Sequence, residues 1–439
     1  MSTQPQVSGG AYLKLVGLGA AIGIPAAFVA AVFLAFVHDL EHWLWHDLPD
    51  ALGYSSPPWF LVIGLPVVGA LCVVLARLLL PGDGGHSPLQ GIGGGGPTPL
   101  AYAPGIALAA IGTLAFGAVL GPEAPLIALG SVVGVAATVV VRLGQQETAV
   151  IGNAGSFSAI SALFGGPLVG GMLMVEGGLE MGSRLLPIIL PGFVAAAIGY
   201  VIFVGLGDWG GLASQGLAVP NLPPYNGTHV RDLLLGVVVG VATAVLVAVL
   251  RRAAADGLHT GVKSRVGMPA LLLVGGFAVG LVAQVADWLG ADSQDVLFSG
   301  QASVPALVAE DSTKIVLILL VAKAVAYAIS LGCGFRGGPV FPAIFLGIAI
   351  AMLAVVWFDV SPTLAVAIGA AAGTAAVTRL LITSALFASL LVGTAGVDAV
   401  PAAVLASAAA WLTLAVVDRR ATTAAPVVAT GDSEAPAGA

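Results

Sequence analysis

Apolar stretches long enough to cross a bilayer follow one another along almost the whole chain, separated by short breaks rich in Gly, Pro and charge. This pattern leaves few folds open, because a span needs about 20 apolar residues and a water-soluble fold cannot hide so many of them. Charged residues make up 8% of the 439 positions, apolar residues 58%, and mean hydropathy is +1.05, where an ordinary soluble domain is about a quarter charged. The expectation is an all-α, multi-pass protein of the cell membrane. The first apolar stretch, Tyr12 to Val37, exceeds the roughly 7–15-residue apolar core of a cleaved signal peptide and is read as a retained span.

Apolar runs bounded by Gly, Pro and charge place segments near 12–38, 58–80, 99–119, 122–142, 148–164, 167–176 and 186–207. A second set follows near 231–252, 268–290, 313–333, 339–358, 362–379, 380–397 and 400–417. The expected organisation is a polar segment at 1–11, a first membrane repeat at 12–208, an external linker at 209–230, a second membrane repeat at 231–418 and a disordered cytoplasmic tail at 419–439. The halves come into register directly. Pro125, Ile127, Leu129 and Gly130 recur as Pro342, Ile344, Leu346 and Gly347, a separation of 342 − 125 = 217 residues. Ile151, Gly152, Ala154 and Ala159 meet Ile368, Gly369, Ala371 and Ala376 at the same separation. Several segments are too short to span, and an internal repeat of that kind places a site where the halves meet.

The scarce cations set the orientation. Arg251, Arg252, Lys263 and Arg265 cluster in one expected loop, while Lys14 and the pair Arg419 and Arg420 flank the ends. The positive-inside rule puts all three groups on the cytoplasmic side. The segment at 12–38 then enters from inside and that at 231–252 from outside, so the repeats are inverted. A net charge of −7 without a basic patch gives no reason to expect a nucleic-acid partner. Cys72 and Cys333 lie in apolar runs and support neither a disulfide framework nor a metal site. No cluster of His, Cys or acidic residues suggests an enzyme or a cofactor.

Gly117-Ala118-Val119-Leu120-Gly121-Pro122-Glu123-Ala124-Pro125 is a Gly/Pro break followed at once by a helical run. It reads as a helix N-terminus at membrane depth, where unpaired N–H groups and the helix dipole make an anion site without a cationic side chain. Its partner in the repeat is Gly337-Gly338-Pro339-Val340-Phe341-Pro342. Such irregular backbone is tolerated in a membrane only where protein or water covers it. Glu123 sits at the first terminus, where a charge costs about 2.5–3.5 kcal/mol on insertion scales. It is read either as a titrating gate that competes with an anion for the N–H groups or as a simple helix cap.

Gly121-Pro122-Glu123-Ala124-Pro125 resembles the Gly-Arg-Glu-Gly-Pro motif of the CLC chloride channel and exchanger family, and Gly337 to Pro342 is similar to that family's Gly-x-Phe-x-Pro loop. Gly84-Gly85-His86-Ser87-Pro88 stands where the family has Gly-Ser-Gly-Ile-Pro. The resemblance covers about 12–417. It implies two inverted repeats with many short or re-entrant helices, a homodimer with one pathway per subunit, chloride as the substrate and protons as a second one in exchangers. Carried over, the gate and proton acceptor is Glu123, and the anion-binding backbone is that of Gly85, Ala124, Val340 and Phe341.

The departures bear on mechanism. Pro122 replaces the motif's Arg, Gly85 stands in place of an anion-coordinating Ser, and Pro339 has no N–H to offer. No tyrosine follows Tyr327, so the family's pore tyrosine has no counterpart. Exchangers carry an internal acid where this chain has Gly177; Glu176 reads as the structural member of that pair, and Glu180 as a substitute relay or an interfacial acid. Lys323 reads as a structural charge, Arg336 as an anion attractor or a snorkelling residue, Arg379 as a span end, and His86 as exposed loop polarity or a tuner of conduction. The expected activity is passage of chloride or a similar monovalent anion, channel-like or weakly proton-coupled. The alternatives are a strict chloride/proton antiporter or a site remodelled for fluoride, nitrate or a small carboxylate.

Overall fold

The computed structural model describes residues 9–92, 96–161, 163–179, 182, 185–210, 217, 219–263 and 267–424. Among these the backbone is helical, and strand-like pairing is confined to one antiparallel bridge between Gly121 and Gly338. The first half contains α1 (Gly9–His42), α2 (Leu48–Ala51), α3 (Trp59–Leu79), α4 (Ala103–Leu114), α5 (Glu123–Val141), α6 (Gln145–Ser161), α7 (Pro167–Gly177) and α8 (Leu185–Gly210). The second contains α9 (Val230–Lys263), α10 (Gly267–Trp288), α11 (Ser293–Val296), α12 (Val304–Val308), α13 (Thr313–Gly332), α14 (Val340–Phe358), α15 (Pro362–Thr378), α16 (Leu381–Val392) and α17 (Val400–Ala424). Nine helical stretches among the described residues are long and apolar enough to cross a bilayer, while α7 and α15 are too short to do so unaided.

The repeat is carried by the elements themselves. Helices α5 and α14 each have 19 residues, and α6 and α15 each have 17. Both members of each pair start 217 residues apart, the separation of Glu123 from Val340. Helix α5 ends on Arg142 and α14 on Asp359, both left-handed, with φ of 58° and 53°. The outer helices α1 and α9, each of 34 residues, open the two halves.

Small residues let these helices approach closely. A Cβ on Gly130 would stand 2.4 Å from the Gly155 carbonyl, and one on its repeat partner Gly347 would stand 2.2 Å from that of Gly369. The outer pairs do the same: Gly23 of α1 meets Ala195 of α8 at 2.6 Å, and Gly240 of α9 meets Ala406 of α17 at 2.4 Å. The resulting core gathers on α14 and α15, whose side chains are buried along nearly their whole length.

Three expectations require correction. Arg251 and Arg252 are not in a loop, because α9 continues to Lys263; the Ala-rich run after them favours helix irrespective of hydropathy, and residues 264–266 lie outside the described ones. The expected disordered tail begins too early, since α17 runs to Ala424. The segment expected at 380–397 is broken at Gly393, where a left-handed φ of 55° ends α16 and a 3₁₀ stretch leads to α17. Of the expected linker at 209–230, residues 211–216 and 218 lie outside the described ones.

Valine at Gly347 should destabilise the protein by about 1–3 kcal/mol or more through overpacking against α15, whereas valine at Gly64, where a Cβ meets nothing within 4 Å, should change little. Thermal unfolding of both variants in detergent, followed by loss of the monodisperse size-exclusion peak, checks the difference.

Candidate functional site

Two buried loops meet between the halves, 115–122 before α5 and 333–339 before α14. Each turns on a glycine with positive φ, Gly117 at 93° and Gly334 at 91°, a conformation a side chain would strain. The Gly121 N–H donates to the Gly338 carbonyl at 2.7 Å, and the Gly338 N–H donates to the Gly121 carbonyl at 2.6 Å. These two glycines are repeat equivalents, so a pair of reciprocal bonds between them puts the twofold axis of the repeats through the bridge. Side chains follow the same symmetry. The Val119 N–H donates to Ser330 Oγ at 3.0 Å, and the Arg336 N–H donates to Thr113 Oγ1 at 3.3 Å. Each hydroxyl donates in turn to the carbonyl four residues back in its own helix, Thr113 to Ala109 and Ser330 to Ala326.

Beyond the bridge, Pro122 and Pro339 occupy the N-cap positions and the helices begin at Glu123 and Val340. Symmetry ends there. The Glu123 side chain reaches across the axis, and its Oε1 accepts the Val340 N–H at 2.5 Å; the Phe341 amide and its own amide also act on the carboxyl. Glu123 is 0% exposed, and its Oε2 is buried with no hydrogen-bond partner. One carboxyl therefore lies where the positive ends of α5 and α14 converge. Its seat is floored by the bridging glycines: a Cβ on Gly121 would stand 2.0 Å from Oε2, and one on Gly338 would stand 1.9 Å from Cδ. Phe341 stacks on Phe164 at 5.6 Å, and Phe164 meets Phe387 edge-on at 5.7 Å. Buried Tyr327 donates its hydroxyl to the Pro339 carbonyl at 2.8 Å.

Two cavities lie on this side of the protein's interior, and the smaller one adjoins the seat. One of about 800 Å³ is bordered by Arg251, Arg252, Arg379 and Asp418. The other, of about 350 Å³, has Thr98, Ser131, Asn153 and Ser156 in its walls and reaches Ala124, the neighbour of Glu123. His86, Ile92 and Leu173 belong to both. Of the backbone positions expected to bind an anion, Ala124, Val340 and Phe341 lie in the first turns of the two converging helices. Gly85 shares the wall of the smaller cavity with Ala124, and its N–H donates to the Gly82 carbonyl at 2.9 Å.

Glu176, Arg336, Lys323 and Arg379 are each engaged. Glu176, at the end of α7, accepts the N–H groups of Leu381, Ile382 and Thr383 and the Thr383 hydroxyl at 2.6–3.0 Å. It thereby caps α16, the repeat equivalent of its own helix. Glu180 lies outside the described residues. Arg336 is 6% exposed and paired with Asp83, which also holds Arg77 at 2.8 Å, while Arg77 reaches the Gly334 carbonyl at 3.1 Å. Lys323 is fully buried; its Nζ donates to the carbonyls of Leu297 at 2.6 Å and Asp295 at 3.1 Å and lies 4.8 Å from the Phe345 ring centroid. Arg379 closes α15 and pairs with Asp418 at 2.7 Å. Among the described residues no group of three His, Cys, Asp or Glu side chains comes together to hold a metal.

Sequence reasoning found the two helix starts and missed what ties them together. Thr113 and Ser330 stand 217 residues apart like the motif glycines, and extending the repeat to polar positions would have found them. Tyr327 left no such signal, since its repeat partner is Ala110.

Replacing Glu176 with Ala should lower stability by about 1–2 kcal/mol, the scale of a lost N-cap, with Gln recovering part of the loss. Thermal melts of the two variants check this ordering.

Comparison with known proteins matches residues 88–414 to the family described as "Voltage gated chloride channel". The "Putative ion-transport protein YfeO" of Escherichia coli O7:K1 (strain IAI39 / ExPEC) is 28% identical over 341 residues, which cover 76% of this chain and 77% of that protein. Its namesake in Shigella boydii serotype 4 (strain Sb227) is 29% identical over 343 residues, with the same shares. Among solved structures, a slow cyanobacterial Cl⁻/H⁺ antiporter superposes with a TM-score of 0.73 at 17% identity, covering 97% of this chain and 100% of that one. A CLC-type fluoride/proton antiporter superposes with a TM-score of 0.72 at 18% identity, covering 93% and 96%. At these identities the superpositions speak for the fold.

Proposed function

This chain belongs to the voltage-gated chloride channel family, and on that premise we propose that it moves chloride or a similar monovalent anion between its two repeats, with Glu123 as the gate. One observation carries the reading: a single carboxylate oxygen occupies the N–H of Val340 at the meeting point of two helix N-termini. A carboxylate and a halide carry the same charge and compete for the same donors. The carboxyl is held at one oxygen only, so a protonated or displaced side chain leaves the seat to the anion. The cavity bordered by Arg251, Arg252 and Arg379 is then the cytoplasmic mouth under the positive-inside rule. We assign the protein to homodimers with one pathway per subunit, the assembly that the family implies.

Channel-like or weakly coupled movement is the reading we favour. Gly177 lines the larger cavity where exchangers of the family carry an acid, and Asp418, paired with Arg379, is the one carboxylate in the described walls of the two cavities. Both Glu176 oxygens are engaged on α16, which supports a capping role over a proton relay. A seat built from backbone alone, with Gly85 lacking a hydroxyl and Tyr327 engaged by Pro339, favours fluoride, nitrate or a small carboxylate as the alternative substrates. A strict chloride/proton antiporter remains the alternative mechanism.

Anion efflux from proteoliposomes under a valinomycin-set potential, with internal pH followed at the same time, tests the assignment. Glu123→Gln should raise efflux about tenfold, since a charge-assisted bond of about 1.5–3 kcal/mol no longer holds the gate shut, and should remove proton movement. If neither chloride nor another small anion leaves vesicles of either protein, the assignment is wrong. Gly338→Ala should reproduce the fast phenotype with Glu123 intact, because the added methyl takes the place of the carboxyl.

A further inference from the structure

A second titratable side chain stands on the way to Glu123. His86, Ile92 and Leu173 stand in the walls of both cavities, which puts the His86 ring between the larger and the smaller. The loop that carries it is fixed. Gly84 and Gly85 take φ of 68° and 98°, and a Cβ on Gly84 would stand 2.9 Å from Ala109 and 3.3 Å from Arg336. A hydrogen bond with the Gln90 backbone holds one side of the ring, while Nε2 is buried and has no partner. Buried polar atoms normally have partners, and this one has none although its residue lines both cavities.

The charges around the ring are positive in balance, five arginines against Asp83 and Asp418. Arg336, beside the loop, is locked to Asp83, which also holds Arg77 of α3. From α9, Arg251 donates to the Leu89 carbonyl at 2.7 Å, and Arg252 shares the larger cavity. Arg379 is bridged to Asp418 of α17. Tyr102 faces the smaller cavity, and α7 contributes apolar Leu173 and Gly177. Burial first, and the Arg336 charge second, push the His86 pKa below its ordinary value, with the Gln90 bond opposing them. At neutral pH the ring is then neutral and offers an anion no charge. A proton gained at lower pH makes the ring a cation with an N–H donor at both nitrogens.

We propose that His86 is a proton-operated anion ligand at the neck between the cavities, binding a monovalent anion when its ring is charged and releasing it when neutral. Flux through the Glu123 seat then depends on the pH of the side that the larger cavity faces. The proposal rests on the reading of this route as an anion pathway, and it adds a second control point to it.

Two measurements on the full chain test it. In proteoliposomes carrying Glu123→Gln, so that the gate does not titrate, chloride efflux is followed while the pH on the larger-cavity side is stepped from about 7.5 to about 5, across and below the histidine range. Efflux should rise about tenfold. With His86→Gln added it should stay flat and slow, and with His86→Arg flat and fast. A double variant with Gln that keeps the full rise overturns the proposal. The second measurement is the His86 ring titration of the native protein in detergent by ¹⁵N NMR, assigned by its loss in His86→Gln. By linkage, chloride that binds the charged ring tenfold tighter raises the midpoint by about one pH unit relative to gluconate. An identical midpoint in both salts overturns the proposal whatever the vesicles do. Absence of efflux from every vesicle instead overturns the transport reading, leaving the titration to judge His86.

Discussion

Two helix N-termini buried between the halves of a membrane protein leave backbone N–H groups that the bilayer cannot satisfy. Everything around the site follows from that constraint. The loops preceding α5 and α14 have to be irregular in order to start a helix at depth, and they survive because each pairs with the other through the Gly121–Gly338 bridge and with a hydroxyl from the opposite half. What remains unpaired is directed at one place, and Glu123 fills it.

The repeats are symmetric in their backbone and asymmetric in their acids. Glu123 and Val340 are equivalent positions, yet one carboxyl serves both helix starts. Glu176 repeats the device at another junction, reaching from the end of α7 to the start of α16. In both cases an acid from the first half satisfies donors of the second. A gene-doubled scaffold with two identical acids at the axis would bring like charges together, whereas a single acid facing an apolar residue avoids that repulsion.

The membrane class, the 217-residue repeat and the two helix starts were legible because they are written in residue types with strong local consequences, namely apolar runs, Gly and Pro. The extent of α9 was misread because hydropathy marks where a helix meets water and propensity decides where it ends; Arg251 to Lys263 include four charged residues and are still helical. The ion group of Arg77, Asp83 and Arg336 was hidden because its members are far apart in the chain and meet only through the fold. Arg336, read as an anion attractor or a snorkelling residue, is buried and tied to Asp83, which it shares with Arg77. Gly85 was read as anion-binding backbone; its N–H donates to the Gly82 carbonyl, a matter of local dihedrals that no motif specifies.

The symmetric loops also constrain motion. A seam held at its centre by four hydrogen bonds, two between glycines and two from hydroxyls of opposite halves, cannot open by rocking one half against the other without breaking all of them together in a medium that offers no replacement partners. With Glu123 as the proposed gate, the hinge is smaller than a helix: the swing of a carboxyl off two glycines leaves the seam intact, and torsions about a few side-chain bonds take the place of a rocking half.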